Sequence, residues 1–288
     1  MLTVDEQTGE ILREKPLYVF KPENLGQMMN IDDKQIGRDG FTILSNTQTG
    51  KIAMMIESTR SEEVEGALEL FGDALQQVES ISCDMSPTYL KACRVILPAA
   101  QVVVDKFHVM QYVYDAVGEV RLGIKKELSE GLSKGKHKTE GDKQILSDLE
   151  MLRRSRRLLT QSPDTWTGTS RKLMNLLFEK HPQLKQAYLL AQQFKGWYQL
   201  GNRTQHRLSI EKNLWQWYQN VEESKIKEYN AVVKMIEKHE TQIINFFAMG
   251  HTNAKAERLN GKIQRFVSNN YGIKDKDFVL FRIAGYFS

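Results

Sequence analysis

The sequence changes character near residue 106. Before that point, short alternating or continuous apolar stretches are typical of strands, and two longer stretches have helical spacing. Together they predict the order β-β-β-α-β-α-β: an antiparallel meander, then two parallel strands that alternate with helices. After residue 106 every pattern is helical, so the second part of the chain is predicted to be all-α. The strand patterns cover residues 27–36, 41–45, 51–56, 78–83 and 101–104.

Composition places the chain among soluble globular proteins. It has 288 residues, of which 41% are hydrophobic and 26% are charged, and this excludes a disordered or fibrous protein. No apolar run is long enough to span a bilayer, and the acidic N-terminus does not fit a signal peptide. Two cysteines are too few for a disulfide scaffold or a four-cysteine zinc site. We expect a cytoplasmic, nucleoid-associated protein with no membrane partner.

Positive charge is concentrated in one segment. Residues 121–157 contain eleven Lys and Arg against six Asp and Glu, so this segment carries more than the whole chain's net charge of +4. A basic patch attracts polyanions through counterion release, which makes nucleic acid a candidate partner. A solvated helical surface explains the same charges without any partner.

Aspartates lie in or just after three of the predicted strands. Asp32 is in the first strand, Asp84 follows the fourth and Asp105 follows the fifth. Ligand sites gather at the carboxyl ends of parallel strands, and carboxylate oxygens suit Mg²⁺. Each aspartate taken alone is also explained as a cap or turn residue. Asp33 competes with Asp32, because neighbours on a strand point to opposite faces.

The helix predicted over 252–269 has three distinct faces at 100° per residue. One face is apolar, one is polar and centred on the single carboxylate of Glu257, and one is basic. The polar face also holds Asn253 and Asn260. The basic face consists of Lys255, Arg258, Lys262 and Arg265.

Three parts of the sequence resemble a known family. The element order with Asp32, Asp84 and a glutamate on a late helix is similar to the RNase H-like core of DDE transposases and integrases. Asp105-Lys-Phe-His-Val109 and Asn253-Ala-Lys-Ala-Glu257-Arg-Leu-Asn260 resemble signatures of the ISL3 group of bacterial insertion-sequence transposases. The resemblance runs from about Met29 to the C-terminus and covers the catalytic domain.

The resemblance implies an α/β fold with an RNase H-like mixed five-stranded sheet. A large all-α insertion separates the second and third catalytic carboxylates, because the core alone does not need the residues between them. The implied domains are an N-terminal extension (1–26), the first part of the core (27–109), the helical insertion (110–250) and C-terminal core helices that carry the glutamate (251–288).

The resemblance also implies the chemistry. Asp32, Asp84 and Glu257 would be the catalytic residues and would bind two Mg²⁺ ions, for which Mn²⁺ can substitute. Water would attack first at the element end, and the exposed 3′-hydroxyl would then attack target DNA. Asp105, His108, Asn253 and Asn260 would support the site or contact DNA. The DNA-binding residues would be Arg153, Arg154, Arg156, Arg157, Lys255, Arg258, Lys262 and Arg265.

The expected partners are double-stranded DNA, as element ends and target, and further copies of the chain assembled on it. Family members carry an N-terminal zinc-binding and helix-turn-helix region that is not found in this sequence, so a separate DNA-reading subunit or a missing N-terminal domain is expected. Two alternatives remain open. One is an RNase H-like nuclease or resolvase that cuts without joining, and the other is a non-catalytic DNA-binding module derived from a transposase.

Overall fold

The computed structural model describes residues 3–4, 11–12, 17–36, 38–132, 139–199, 206–249, 254–269 and 276–287. The chain divides into two compact units. The first combines residues 1–106 with 241–288, and the second is residues 107–240.

The first unit contains all the described strands. The main sheet has the order β3-β6-β5-β4-β7-β8, in which the first four strands are antiparallel and β4, β7 and β8 are parallel. A separate antiparallel pair is formed by β1 and β2. The strands are β1 (Thr3–Val4), β2 (Ile11–Leu12), β3 (Leu17–Phe20), β4 (Met28–Ile36), β5 (Asp39–Asn46), β6 (Ile52–Ile56), β7 (Ser80–Cys83) and β8 (Gln101–Val104).

The main sheet has six strands, so the prediction of five was wrong by one. The five predicted strands all form, and β3 adds an edge strand beside β6. Its register shifts between Leu17 and Val19, which marks an irregularity in the pairing. A four-residue strand with such a shift does not keep the regular alternation by which strands are recognised in a sequence. It lies in the segment assigned to the N-terminal extension.

Helices cover both faces of the sheet, because alternate residues of each strand point to opposite sides. On one face Met29 and Ile31 pack in a core with helices α1 and α2. On the other face Ile43 packs in a core with α10 and α11. The helices of this unit are α1 (Ser61–Glu69), α2 (Pro87–Ile96), α9 (Glu240–Met249), α10 (Ala254–Asn269) and α11 (Lys276–Phe287).

The second unit is helical around an aromatic core. Trp197 donates its indole N–H to the Ile210 carbonyl (2.9 Å), and Trp217 donates to the Leu190 carbonyl (3.0 Å), so both buried rings are satisfied. The helices are α3 (Lys106–Glu130), α4 (Glu140–Ser155), α5 (Gly168–Lys180), α6 (Pro182–Gln199), α7 (Arg207–Ser224) and α8 (Asn230–Lys238).

Candidate active site

The parallel register aligns three aspartates at one edge of the sheet. Asn30 of β4 pairs with Ser82 of β7, so two residues further along Asp32 is level with Asp84. Cys83 of β7 pairs with Val104 of β8, so one residue further along Asp84 is level with Asp105. All three side chains are half-buried. The predicted carboxylates Asp32 and Asp84 therefore lie on neighbouring strands, with Asp105 on the next.

Asp84 is fixed by the turn between β7 and α2. Its Oδ1 accepts a hydrogen bond from the Ser86 backbone N–H (2.8 Å). Ser86 is the N-cap residue of α2, and Pro87 occupies the first turn, where proline is favoured because its missing N–H would have no partner within the helix. The connection between β7 and α2 consists only of residues 84–86, so Asp84 is held at a defined position between the two elements.

Asp32 and Asp33 lie on opposite faces of the sheet. Asp32 pairs with Ile43, whose side chain belongs to the core formed with α10 and α11. Asp33 pairs with Thr42, whose hydroxyl contacts Tyr89 of α2 on the other face. Because cross-strand partners share a face, Asp32 projects from the α10 side.

Helix α10 packs on this same face and approaches β4. Leu259 and Ile263 bury their side chains in the core with Ile43 and so fix the helix against the sheet. Glu257 lies in α10, two residues before Leu259, and its side chain is outside the described part of the structure, as is that of Asn260. Asn253 lies outside the described residues.

The donor atoms at this edge fit a hard divalent cation. Carboxylate oxygens from neighbouring strands are the ligands that Mg²⁺ prefers, and Mg²⁺ needs only a few of them because it keeps several waters. The described side chains do not, however, include three or more His, Cys, Asp or Glu groups placed together to hold a metal ion. The side chain of Glu257 is not among these described side chains, because it lies outside the described part of the structure.

The family model for ISL3 transposases matches residues 29–283, from β4 to α11. This chain belongs to the ISL3 transposase family. The matched segment contains the aligned aspartates and Glu257, and transposases act on DNA. No curated protein and no solved structure matches the chain significantly. None of the described helices combines the length and apolar character that crossing a bilayer requires.

A buried hydroxyl pair in this transposase lies close to the carboxylates, and the sequence analysis did not identify it. The Thr42 hydroxyl donates to the Ser58 carbonyl (2.5 Å) and accepts from the Tyr89 phenol (3.0 Å). Burial raises the pKa of Tyr89 well above its usual range, and the charges of Asp33, Asp84 and Asp32 raise it further. Tyr89 therefore remains a neutral donor beside this acidic edge. Its only signal in the sequence is an aromatic residue on the buried face of α2.

Two buried free thiols pack directly behind Asp84. A hydrogen bond with Cys93, then burial, and then the neighbouring charges including Asp84 and Asp105 raise the pKa of the Cys83 thiol. Both thiols belong to the core formed with α1 and α2, on the face of the sheet opposite to Asp32.

The remaining predicted residues are divided between the two units. Asp105 is in the first unit, and His108 is half-buried in α3 of the second. In the second unit Arg154, Arg156 and Arg157 are exposed, while Arg153 forms an ion pair with Glu150 (2.6 Å). In the first unit Arg258, Lys262 and Arg265 are exposed on α10, and the side chain of Lys255 is outside the described part.

Proposed function

We propose that this transposase is a DDE enzyme that cleaves DNA at insertion-sequence ends and joins the resulting 3′-hydroxyl to target DNA. The observation that carries the proposal is the register that aligns Asp32 with Asp84 on adjacent parallel strands. Support comes from the packing of α10, which carries Glu257, on the face from which Asp32 projects.

We propose further that the first unit is an RNase H-like domain. The order β6-β5-β4-β7-β8, with three antiparallel strands followed by two parallel ones, supports this assignment. The helical unit, residues 107–240, separates β8 from α10 in the chain and would be the insertion between the second and third carboxylates. Asp32, Asp84 and Glu257 would together be the three catalytic carboxylates.

In this mechanism Asp32, Asp84 and Glu257 would hold two Mg²⁺ ions, or Mn²⁺ in their place. When bound, such a metal pair would activate the attacking oxygen and stabilise the leaving oxygen in an in-line displacement at phosphorus. In the first step a water oxygen bonds to phosphorus, and the 3′-oxygen of the element leaves and takes up a proton. In the second step that 3′-hydroxyl attacks target DNA and displaces the target's own 3′-oxygen.

Double-stranded DNA is the substrate in both steps. The exposed cations Arg154, Arg156 and Arg157 on one unit, and Arg258, Lys262 and Arg265 on the other, would bind its phosphates. Because two element ends must be joined to one target, we expect the active form to be a homo-oligomer assembled on DNA.

The proposal is tested with Asp32→Asn, Asp84→Asn and the matched neighbour Asp33→Asn. The assay uses a supercoiled plasmid and a labelled 3′-hydroxyl oligonucleotide in Mg²⁺ or Mn²⁺. Loss of a metal ligand removes several kcal/mol of transition-state stabilisation, so the first two variants should cleave and join at least about 100-fold more slowly. Their DNA affinity should be unchanged. Asp33→Asn should retain both reactions, because its carboxylate lies on the other face.

The other outcomes separate the alternatives. Cleavage without joining by the wild-type protein would support the nuclease or resolvase. DNA binding without either reaction would support the non-catalytic module. Equal losses in Asp32→Asn and Asp33→Asn would contradict the assignment of the first carboxylate.

A further inference from the structure

A basic pocket lies at the far end of the sheet from the aligned aspartates. It is formed by the turn between β5 and β6, by α10 and by the end of α11, and it has a volume of about 230 Å³. Lys51, Arg258 and Lys262 line it together with the rings of Tyr286 and Phe287. All these elements belong to the first unit, and α10 and α11 lie on the face from which Asp32 projects.

Three cations line this pocket, and none of its lining residues in the described part of the chain is acidic. Among the described residues, none of the three forms an ion pair. Glu23 lies near enough to Lys51 to interact with its charge, but its carboxylate forms an ion pair with Lys21 instead (Nζ to Oε1, 3.5 Å). Like charges placed together without a counterion repel one another, and an anion bound between them would remove that cost.

Hydrogen bonds hold the turn between β5 and β6 that forms one wall of the pocket. In the turn, Asn46 Oδ1 accepts the backbone N–H groups of Gln48 (2.8 Å) and Thr49 (3.0 Å). Gly50 adopts a φ of 78°, which a residue with a side chain rarely adopts, and donates its N–H to the Asn46 carbonyl (2.8 Å). Lys51 therefore leaves the turn from a defined position.

An exposed aromatic ring adjoins the cations. Tyr286 is 65% exposed, yet its ring is held against Phe266 (5.7 Å between centroids) and lies below the Arg282 guanidinium (5.5 Å). Cations beside an exposed aromatic ring form the arrangement with which proteins bind single-stranded nucleic acid. The pocket is smaller than the roughly 300–1,000 Å³ of typical cofactor sites and suits a phosphate with its sugar.

We propose that this pocket binds a backbone phosphate of a DNA strand, and that the adjacent unpaired base stacks on Tyr286. The inference rests on the proposed function only in taking DNA as the ligand. Asn46, where the turn begins, is three residues beyond Ile43, the partner of Asp32, or about 10 Å along β5. One strand can therefore contact both the carboxylate edge and the pocket.

The charged part is tested with Lys51→Ala and Lys262→Ala in the full-length protein. Fluorescence anisotropy with a labelled 16-nucleotide single strand gives Kd over a range of NaCl concentrations. Each variant should lower the slope of log Kd against log salt by about 0.7, the value for one phosphate contact on a single strand. Arg60→Ala is the control, because Arg60 is an exposed cation before α1, and it should keep the wild-type slope.

The stacking part is tested with Tyr286→Leu and its control Phe281→Leu, an exposed ring on α11 that does not line the pocket. Tyr286→Leu should weaken single-strand binding about tenfold, within the range for one stacked base, and should leave binding to a blunt duplex of the same sequence nearly unchanged. Phe281→Leu should change neither. Thermal unfolding of each variant verifies that these exposed substitutions leave the fold intact.

Unchanged salt slopes in both lysine variants, or an equal fall in Arg60→Ala, would overturn the phosphate site. An equal loss on duplex and single strand in Tyr286→Leu would overturn the stacking. These failures differ from failure of the proposed function. If Asp84→Asn cleaves like the wild type while the pocket variants lose binding, the catalytic proposal fails and the pocket stands.

Discussion

At the scale of single residues, four tyrosines donate hydrogen bonds from their hydroxyl groups to partners within the folded chain. Tyr89 donates to Thr42, Tyr188 to the Gln161 carbonyl, Tyr218 to Glu240 and Tyr229 to the Ala187 carbonyl. Burial is the largest cause that raises the pKa of each above its usual range. In both units the folded state therefore keeps these tyrosines protonated and uncharged.

These tyrosines predict a loss of stability in alkali. Their pKa is raised on folding, so above pH 10 the unfolded chain releases protons that the folded chain keeps. The contribution of these tyrosines to stability should be constant from pH 7 to 9 and fall above pH 10, by up to about 1.4 kcal/mol per pH unit for each. Urea denaturation followed by circular dichroism measures the fall. Tyr229→Phe should make it shallower, whereas the exposed control Tyr112→Phe should not, and equal slopes would contradict the assignment.

Single residues also show where sequence patterns reach their limit. Asp84 and Asp105 were identified as strand-end residues because an alternating stretch (78–83) precedes the first and a short apolar run (101–104) precedes the second. The position of Asp32 relative to Asp33 needed a three-dimensional fact, namely which face of β4 is covered by α10. Tyr89 was missed because its contact with Thr42 joins two elements that are 47 residues apart.

At the scale of elements, α10 has two of the three faces that its sequence predicted, the apolar face and the basic face, while the side chains of Glu257 and Asn260 on the third face lie outside the described part. Leu259 and Ile263 are buried, while Arg258, Lys262 and Arg265 are exposed. Helix boundaries were less predictable, because local hydrogen bonds compete for the terminal groups. In the sequence Thr59 stands three residues before Glu62, a spacing that predicts a capping box. This box does not form, because α1 begins at Ser61 and Ser58 Oγ accepts the Arg60 N–H (3.1 Å).

The helical spacing of apolar residues over 221–248 predicts one helix there, but the structure divides this segment. α7 ends at Ser224, where Lys225 adopts a left-handed φ of 56°, and α8 and α9 follow as separate helices. Helical spacing of apolar residues continues across this break. The sequence pattern therefore does not reveal where the chain turns.

Ile263→Ala tests the attachment of α10 to the sheet. Ile263 is fully buried against β-strand residues, and truncation of such a side chain costs about 2–5 kcal/mol. Gln264→Ala, the exposed neighbour on the same helix, should change stability by less than about 0.5 kcal/mol. Urea denaturation followed by far-ultraviolet circular dichroism compares the two. A cost of similar size in both variants would show that α10 does not pack as described.

At the scale of the whole molecule, the chain forms one unit from two distant segments and the other from a continuous one. The change from strand to helix patterns near residue 106 was visible in the sequence and coincides with the end of the first segment. The resemblance placed the return of the chain to the core at residue 251, and the structure places it at residue 241. The spacing of apolar residues did not mark this boundary, because α9 and the helices before it have the same period. Only the packing of apolar faces distinguishes the helices of one unit from those of the other.

The continuous unit is expected to fold when produced alone as residues 107–240. All four tryptophans lie within it, so their fluorescence reports its unfolding. A single cooperative transition with a urea m-value of about 1–3 kcal/mol/M is expected. Trp217→Phe, which loses a buried hydrogen bond, should lower the transition midpoint, and Trp215→Phe, at an exposed position, should not. A broad transition without helical circular dichroism would contradict independent folding.

The discontinuity of the first unit also sets an order of events during synthesis. Residues 107–240 number 134 and take about 7–27 s to translate at 5–20 residues per second. For that interval the nascent sheet lacks α10 and α11, so Phe41, Ile43 and Met55 remain without their covering layer. Under the proposed mechanism the ribosome-bound chain also lacks its third carboxylate. DNA cutting would therefore begin only as the last segment, which contains α10, leaves the ribosome, and a prematurely terminated polypeptide would be harmless to the genome.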